Sequence, residues 1–114
     1  MKPSDTVILV ANNGMGKADL SLQQTLLGKY LELLGQSEGL PAAICFYTEG
    51  VKLVCHGSPL LDQLRALESK GLRLIVCSTC LNYFGLTEKV AVGITASMAD
   101  ILEAQMRAEK VITL

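Results

Sequence analysis

The amino-acid sequence predicts an α/β fold, a three-layer sandwich with a mainly parallel sheet of about five strands and helices on both faces. Three observations carry this expectation. Short β-branched apolar runs alternate with longer segments of helical periodicity, the rhythm of successive βαβ units. The helical segments tend to open on capping residues and close on glycine. Hydrophobic residues make up 50% of the chain against 18% charged, which calls for a well-filled core. With 114 residues the chain fits one compact domain, residues 1–114, and leaves no room for a second.

Taken in order, Thr6 to Ala11 reads as a buried first strand, followed by the polar, Gly-rich turn Asn12 to Lys17. A helix is expected from about Asp19 to Leu34, with Leu20, Leu27, Leu31 and Leu34 on one stripe. Leu22, Leu26 and Leu33 widen that stripe, so burial on more than one side is expected, with Gly35 and Gly39 bracketing the end. Ala42 to Tyr47 is the second strand. Ser58-Pro59 then opens a helix with an N-cap and a proline at the first helical position; Leu60, Leu64 and Leu67 face the core, and Gly71 closes it. Leu72 to Val76 is the third strand, ending at Cys77, and a short helical piece from Cys80 to Phe84 stops at Gly85. Lys89 to Val92 is expected as a fourth strand. Ser97 to Asp100 has capping-box character and starts a helix carrying Met98, Ile101, Leu102 and Met106, before a last strand from Val111 to Leu114.

Composition removes several function classes. The net charge is −1, with acids and bases scattered, so the chain lacks the basic footprint by which nucleic-acid binders displace counterions. Aromatic residues are sparse, at 4% with no Trp, which argues against base-stacking platforms. No apolar run approaches the roughly 20 residues of a membrane span, and the N-terminus lacks a secretory core. A cytoplasmic location is the expectation. In that compartment the four cysteines read as thiols, metal ligands or catalytic groups before structural disulfides. The apolar excess also points to self-association.

Most candidate motifs fail on inspection. A phosphate-binding loop aligned on Gly16-Lys17 would need Gly where Ala11 stands and Ser or Thr where Ala18 stands. A dinucleotide fingerprint on Gly14 and Gly16 would want a third Gly in place of Asp19. The turn therefore reads as a tight delivery of chain into helix. His56, the one histidine, adjoins Cys55, but nothing in the sequence orients the imidazole for a Cys-His pair. Cys45 lies within a strand pattern and reads as a small core hydrophobe. A zinc site lacks a second paired knuckle, so neither metal nor cofactor is expected.

Cys77-Ser78-Thr79-Cys80 differs because of its place. Cys77 ends a buried strand, and open α/β sheets bind ligands at the carboxyl ends of their strands. Backbone N–H groups and a helix start at that point are expected to stabilise a thiolate and lower its pKa. The thiolate is the species that attacks sulfur.

Several segments together resemble the DsrE/DsrF-like family, most closely the C-terminal domain of YedF-type selenium-metabolism proteins. They are the Met15-Gly16 turn with its leucine-rich helix, Phe46 to Val51, Cys77 to Leu86, and the tail segments Ala91-Val92-Gly93 and Lys110 to Thr113. The resemblance implies a sulfurtransferase-like sulfur-relay protein with a persulfide on Cys77. Cys80 assists, by a hydrogen bond or by discharging the persulfide as a Cys77–Cys80 disulfide. The loops carrying Asn13, Met15, Gly16, Glu49 and Gly50, with Ser78 and Thr79, are expected to line the pocket. A sulfur donor or acceptor of the SirA/TusA carrier type is expected in trans, because the CPxP motif of that carrier domain does not occur in this chain. The resemblance also implies a homotrimer or hexamer. The competing expectations are a non-catalytic oligomeric binding or regulatory module, and a dithiol redox protein using Cys77 and Cys80.

Overall fold

A computed structural model describes residues 2–114. Five strands form one all-parallel sheet: β1 (Thr6–Val10), β2 (Ala43–Phe46), β3 (Arg73–Cys77), β4 (Ile94–Ala96) and β5 (Lys110–Thr113), in the spatial order β4-β3-β2-β1-β5. The helices are α1 (Leu20–Gln36), α2 (Leu61–Ser69), α3 (Ser78–Tyr83) and α4 (Met98–Arg107). From β1 to β4 the chain steps in one direction, so right-handed crossovers carry α1 and α2 over one face. The return from β4 to β5 reverses direction and puts α4 on the other. The expected three-layer α/β sandwich is what forms.

The strands follow the apolar runs because β1, β2 and most of β3 are covered on both sides. Every residue of β1 and β2 is buried, the pattern of interior parallel strands rather than of half-solvated ones. Leu60, Leu64 and Leu67 are buried beneath α2, as their spacing requires. That helix begins a little later than Ser58-Pro59 suggests, with Leu60 at its N-cap; Ser58 Oγ still accepts the Leu60 N–H at 3.2 Å. Gly71, at φ 96°, closes it with Leu72 N–H donating to Leu67 C=O at 3.2 Å, the wrap that satisfies a helix's last carbonyls. Ser97 and Asp100 form the expected reciprocal capping box at α4.

Two expectations need correction, and one boundary shifts. The fourth strand is Ile94–Ala96, not Lys89 to Val92. The Lys89 to Val92 stretch is held against Cys55 and Val54 instead: Val90 bridges Cys55 in antiparallel fashion, and Ala91 N–H donates to Val54 C=O at 2.8 Å. α1 runs two residues past the expected Leu34, to Gln36 with Ser37 at its C-cap, so its end still falls between Gly35 and Gly39. The widened leucine stripe is not buried within this chain. Leu27 and Leu31 face the core, whereas Leu20, Leu22, Leu26 and Leu33 are exposed. The same holds for α4, where Ile101 is buried but Met98, Leu102 and Met106 lie in the open.

Beyond β2 the chain does not enter a helix directly. A 3-10 segment, Thr48–Val54, packs Val51, Leu53 and Val54 into the core at the carboxyl end of the sheet. Its approach to β1 is close enough that a Cβ on Gly50 would lie 2.1 Å from Val10 O. Gly50→Ala is therefore expected to lower stability by about 1–3 kcal/mol or more through forced backbone displacement. An unchanged denaturation midpoint in Gly50→Ala would contradict this packing.

Candidate functional site

The parallel register brings the exits of three neighbouring strands to one edge. Val10 pairs with Phe46 and Phe46 with Val76, so the residues after them, Ala11, Tyr47-Thr48 and Cys77, share the carboxyl rim. Cys77 ends β3 and is fully buried. Cys80 follows in the first turn of α3 and is half-buried. Solvent thus reaches the two sulfurs in the opposite order to the roles expected of them. Leu86 N–H donates to Leu81 C=O at 2.8 Å across Gly85, at φ 68°, which ends the short helix as the sequence suggested.

The group that meets the accessible sulfur comes from another strand. Thr48 N–H donates to Cys80 Sγ at 3.0 Å. Thr48 sits at φ 49°, the one non-glycine residue in the left-handed region among those described, and an uncommon conformation for a β-branched side chain. Its hydroxyl is tied down as well, donating to Ala11 C=O at 2.5 Å and lying 2.7 Å from its own neighbour, the Tyr47 carbonyl oxygen. Thr48 thereby joins the exits of β1 and β2 to the helix after β3. Backbone strain of this kind persists only where surrounding contacts enforce it. Sequence reasoning named Glu49 and Gly50 on this segment and missed Thr48, because the residue types that announce positive φ are glycine and asparagine.

At Cys80 the surroundings do not favour the thiolate. Burial pushes the Cys80 thiol up from its ordinary value; the Thr48 N–H pulls it down, and hydrogen bonding and charge interaction with Cys77 push it up again. The net direction is upward. The stabilising dipole comes from the Thr48 amide, since α3 is a six-residue turn of helix. Cys45 is buried in β2 and raised to about 11 by burial, partly offset by Arg73, as a core thiol should be. Cys55 is buried too, its thiol donating to Val51 C=O at 3.3 Å and its pKa raised by burial. His56 is exposed, and its backbone N–H donates to Lys89 C=O at 2.8 Å.

The remaining expected lining residues divide. Ser78 and Thr79 lie between the cysteines in the first turn of α3. Glu49 turns outward to pair with Lys52 at 2.6 Å, and Gly50 lies beneath the rim against β1. Asn13 accepts from Gln24 Nε2 through its backbone carbonyl at 3.3 Å and lines a separate cavity with Cys55 and His56. Met15 and Gly16 make no hydrogen bond to either cysteine; Met15 N–H donates to Gln23 C=O and Gly16 C=O accepts from the Gln23 side chain. Among the described residues no cluster of three His, Cys, Asp or Glu side chains is placed to hold a metal ion. No helix among them is long and apolar enough to cross a membrane.

A profile of the DsrE/DsrF-like family matches residues 22–114, which includes the second and third strands, both cysteines and the tail. The chain belongs to the DsrE/DsrF-like family. Its fold is shared with solved structures of low sequence identity. The YchN protein from E. coli superposes with a TM-score of 0.74 at 18% identity, covering 100% of each chain. MTH1491 from Methanobacterium thermoautotrophicum, described as a protein of unknown function, gives 0.71 at 18% identity over 96% of this chain and 97% of its own. BT1422 from Bacteroides thetaiotaomicron, described in the same way, gives 0.72 at 15% identity over 100% and 98%. A search of curated proteins found no match.

The raised Cys80 thiol has a kinetic consequence. With the Cys80 thiol pushed up by burial, alkylation by iodoacetamide at neutral pH is expected to be slower there than at a free cysteine. Its rate is expected to go on rising at pH values where a free cysteine has levelled off. In a variant keeping Cys80 as its one cysteine beside Cys77→Ser, a plateau at or below the pH of a free thiol would contradict the burial argument.

Proposed function

We propose that this DsrE/DsrF-like chain is a sulfur-relay protein that exchanges sulfane sulfur at Cys80, with Cys77 directly behind it. The observation that carries the reading is the juxtaposition of a half-buried thiol, a fully buried thiol and one amide donor at the carboxyl rim of a parallel sheet. Reactive cysteines are partly exposed and inert ones are buried, which supports an exchanging role for Cys80 over Cys77. The ordered segments that resemble YedF-type domains, with both cysteines of the pair, support the sulfur chemistry over a simple core role.

In this reading the Cys80 thiolate attacks the outer sulfur of a donor persulfide. The donor S–S bond breaks, the donor leaves as a thiolate, and Cys80 holds the new persulfide. An acceptor thiolate attacks that outer sulfur in turn and releases Cys80 as a thiolate. The Thr48 amide, already on Sγ, stabilises the negative charge that Cys80 carries before loading and after discharge. Cys77 offers a second exit: its thiolate attacks the Cys80 sulfur, expels hydrosulfide and leaves a Cys77–Cys80 disulfide. Donor and acceptor are separate molecules in this proposal, a SirA/TusA-type carrier among them.

Self-association belongs to the same proposal. Met98, Leu102 and Met106 recur along α4 at a spacing that makes one stripe, and the neighbouring Ile94 is also open to solvent. Sedimentation of the purified chain as a trimer or hexamer is the expected result, and a monomer contradicts it.

Mass spectrometry after incubation with a sulfane-sulfur donor tests the relay. Wild type and Cys77→Ser are expected to gain one sulfur atom on the Cys80 peptide, with the persulfide longer-lived in Cys77→Ser. Cys80→Ser is expected to lose loading. Undiminished loading of Cys77 in Cys80→Ser would return the carrier role to Cys77, and no loading of the wild type would remove the relay altogether.

A further inference from the structure

A cavity of about 440 Å³ is lined by neither Cys77 nor Cys80. Its wall comes from the first loop and α1 (Asn13, Gln24), the 3-10 segment and the turn after it (Lys52, His56, Ser58), and the chain following α3 (Phe84, Leu86). Such a volume falls within the range of small-molecule sites, which combine an apolar wall with a few polar groups.

The lining is chemically one-sided. Lys52 and His56 are the side chains there able to carry positive charge, and no carboxylate lines the cavity. Lys52 is held rather than free: its Nζ lies 2.6 Å from Glu49 Oε2 and 4.6 Å from the centre of the Phe84 ring. The Glu49 carboxylate offsets part of that charge from outside the wall, while the pairing fixes where the ammonium sits. Ser58 Oγ accepts the Leu60 N–H, which leaves its hydroxyl hydrogen available. Phe84, Leu86 and Pro59 contribute apolar surface to the same lining. Groups that suit an anion and groups that suit an apolar body thus line one space.

We infer that this cavity binds a small organic anion, with its carboxylate or sulfonate facing Lys52 and His56 and its apolar body against Phe84 and Pro59. The inference stands apart from sulfur exchange, because it uses neither Cys77 nor Cys80. Phenylacetate is a fitting probe and phenylacetamide its neutral counterpart of nearly the same shape. In a titration followed by amide NMR, phenylacetate is expected to shift Gly57, Ser58 and Leu86 saturably. Phenylacetamide, and phenylacetate with the Lys52→Met/His56→Gln double variant, are expected to bind at least about tenfold more weakly.

The thermal midpoint of the double variant, expected near that of the wild type, separates lost binding from lost folding. Cys80→Ser is expected to bind phenylacetate as the wild type does, so failure of the relay leaves this result intact. Absence of saturable shifts at those amides, or equal binding of the neutral amide, would overturn the inference.

Discussion

The amide of Thr48 donates to Cys80 Sγ from a backbone held at φ 49°, and the carboxyl rim of the sheet is organised around that contact. Three strand exits have to converge for it to exist. β1 supplies the Ala11 carbonyl that anchors the threonine hydroxyl, β2 delivers Thr48 itself, and β3 hands the chain to α3 with Cys80 in its first turn. Gly50 allows the segment after Thr48 to lie almost on the backbone of β1, where any side chain would collide with Val10 O. A single β-branched residue in a costly conformation thus ties a sulfur to a scaffold of buried parallel strands.

Four cysteines in one small core show how environment separates identical side chains. Cys45, inside β2, is an apolar filler whose ionisation is pushed to about 11. Cys55 spends its thiol hydrogen on the Val51 carbonyl. Cys77 is sealed at the end of β3, and Cys80 is the one that is only half-buried. Desolvation outweighs the Thr48 amide at the Cys80 thiol, so its net direction is upward with the amide donor already in place.

Much of this architecture was legible in the sequence. The β-branched runs around Ile8, Ile44 and Ile75 located the three central strands, because strands buried on both faces read as continuous apolar segments. Glycines at 71 and 85 marked helix ends, and Ser97 with Asp100 marked a start. The fourth strand was misplaced because Lys89 to Val92 and Ile94 to Ala96 are adjacent short apolar runs. Gly93, at φ 90° and with Leu74 O 3.1 Å from where its Cβ would stand, turns the chain so that the second run, not the first, lies along β3.

Helical periodicity found α1 and α4 but overstated how much of α1 is buried within the chain. The pattern of Leu22, Leu26 and Leu33 looks the same whether it meets the core or an open surface. The pairing of Cys77 with Cys80 was visible from spacing, yet their relative exposure was not, since it depends on how α3 leaves the strand. Thr48 carried no local signal at all; its role comes from tertiary contacts with Ala11 and Cys80.

The most direct test of the account is the amide signal of Thr48 followed by NMR through an alkaline titration, in the wild type and in Cys80→Ala. If Thr48 N–H rests on Cys80 Sγ, its proton shift moves as that sulfur ionises, with a midpoint above that of a free thiol, and the movement disappears in Cys80→Ala. A Thr48 signal that is flat in the wild type, or that titrates identically without Cys80, would contradict it.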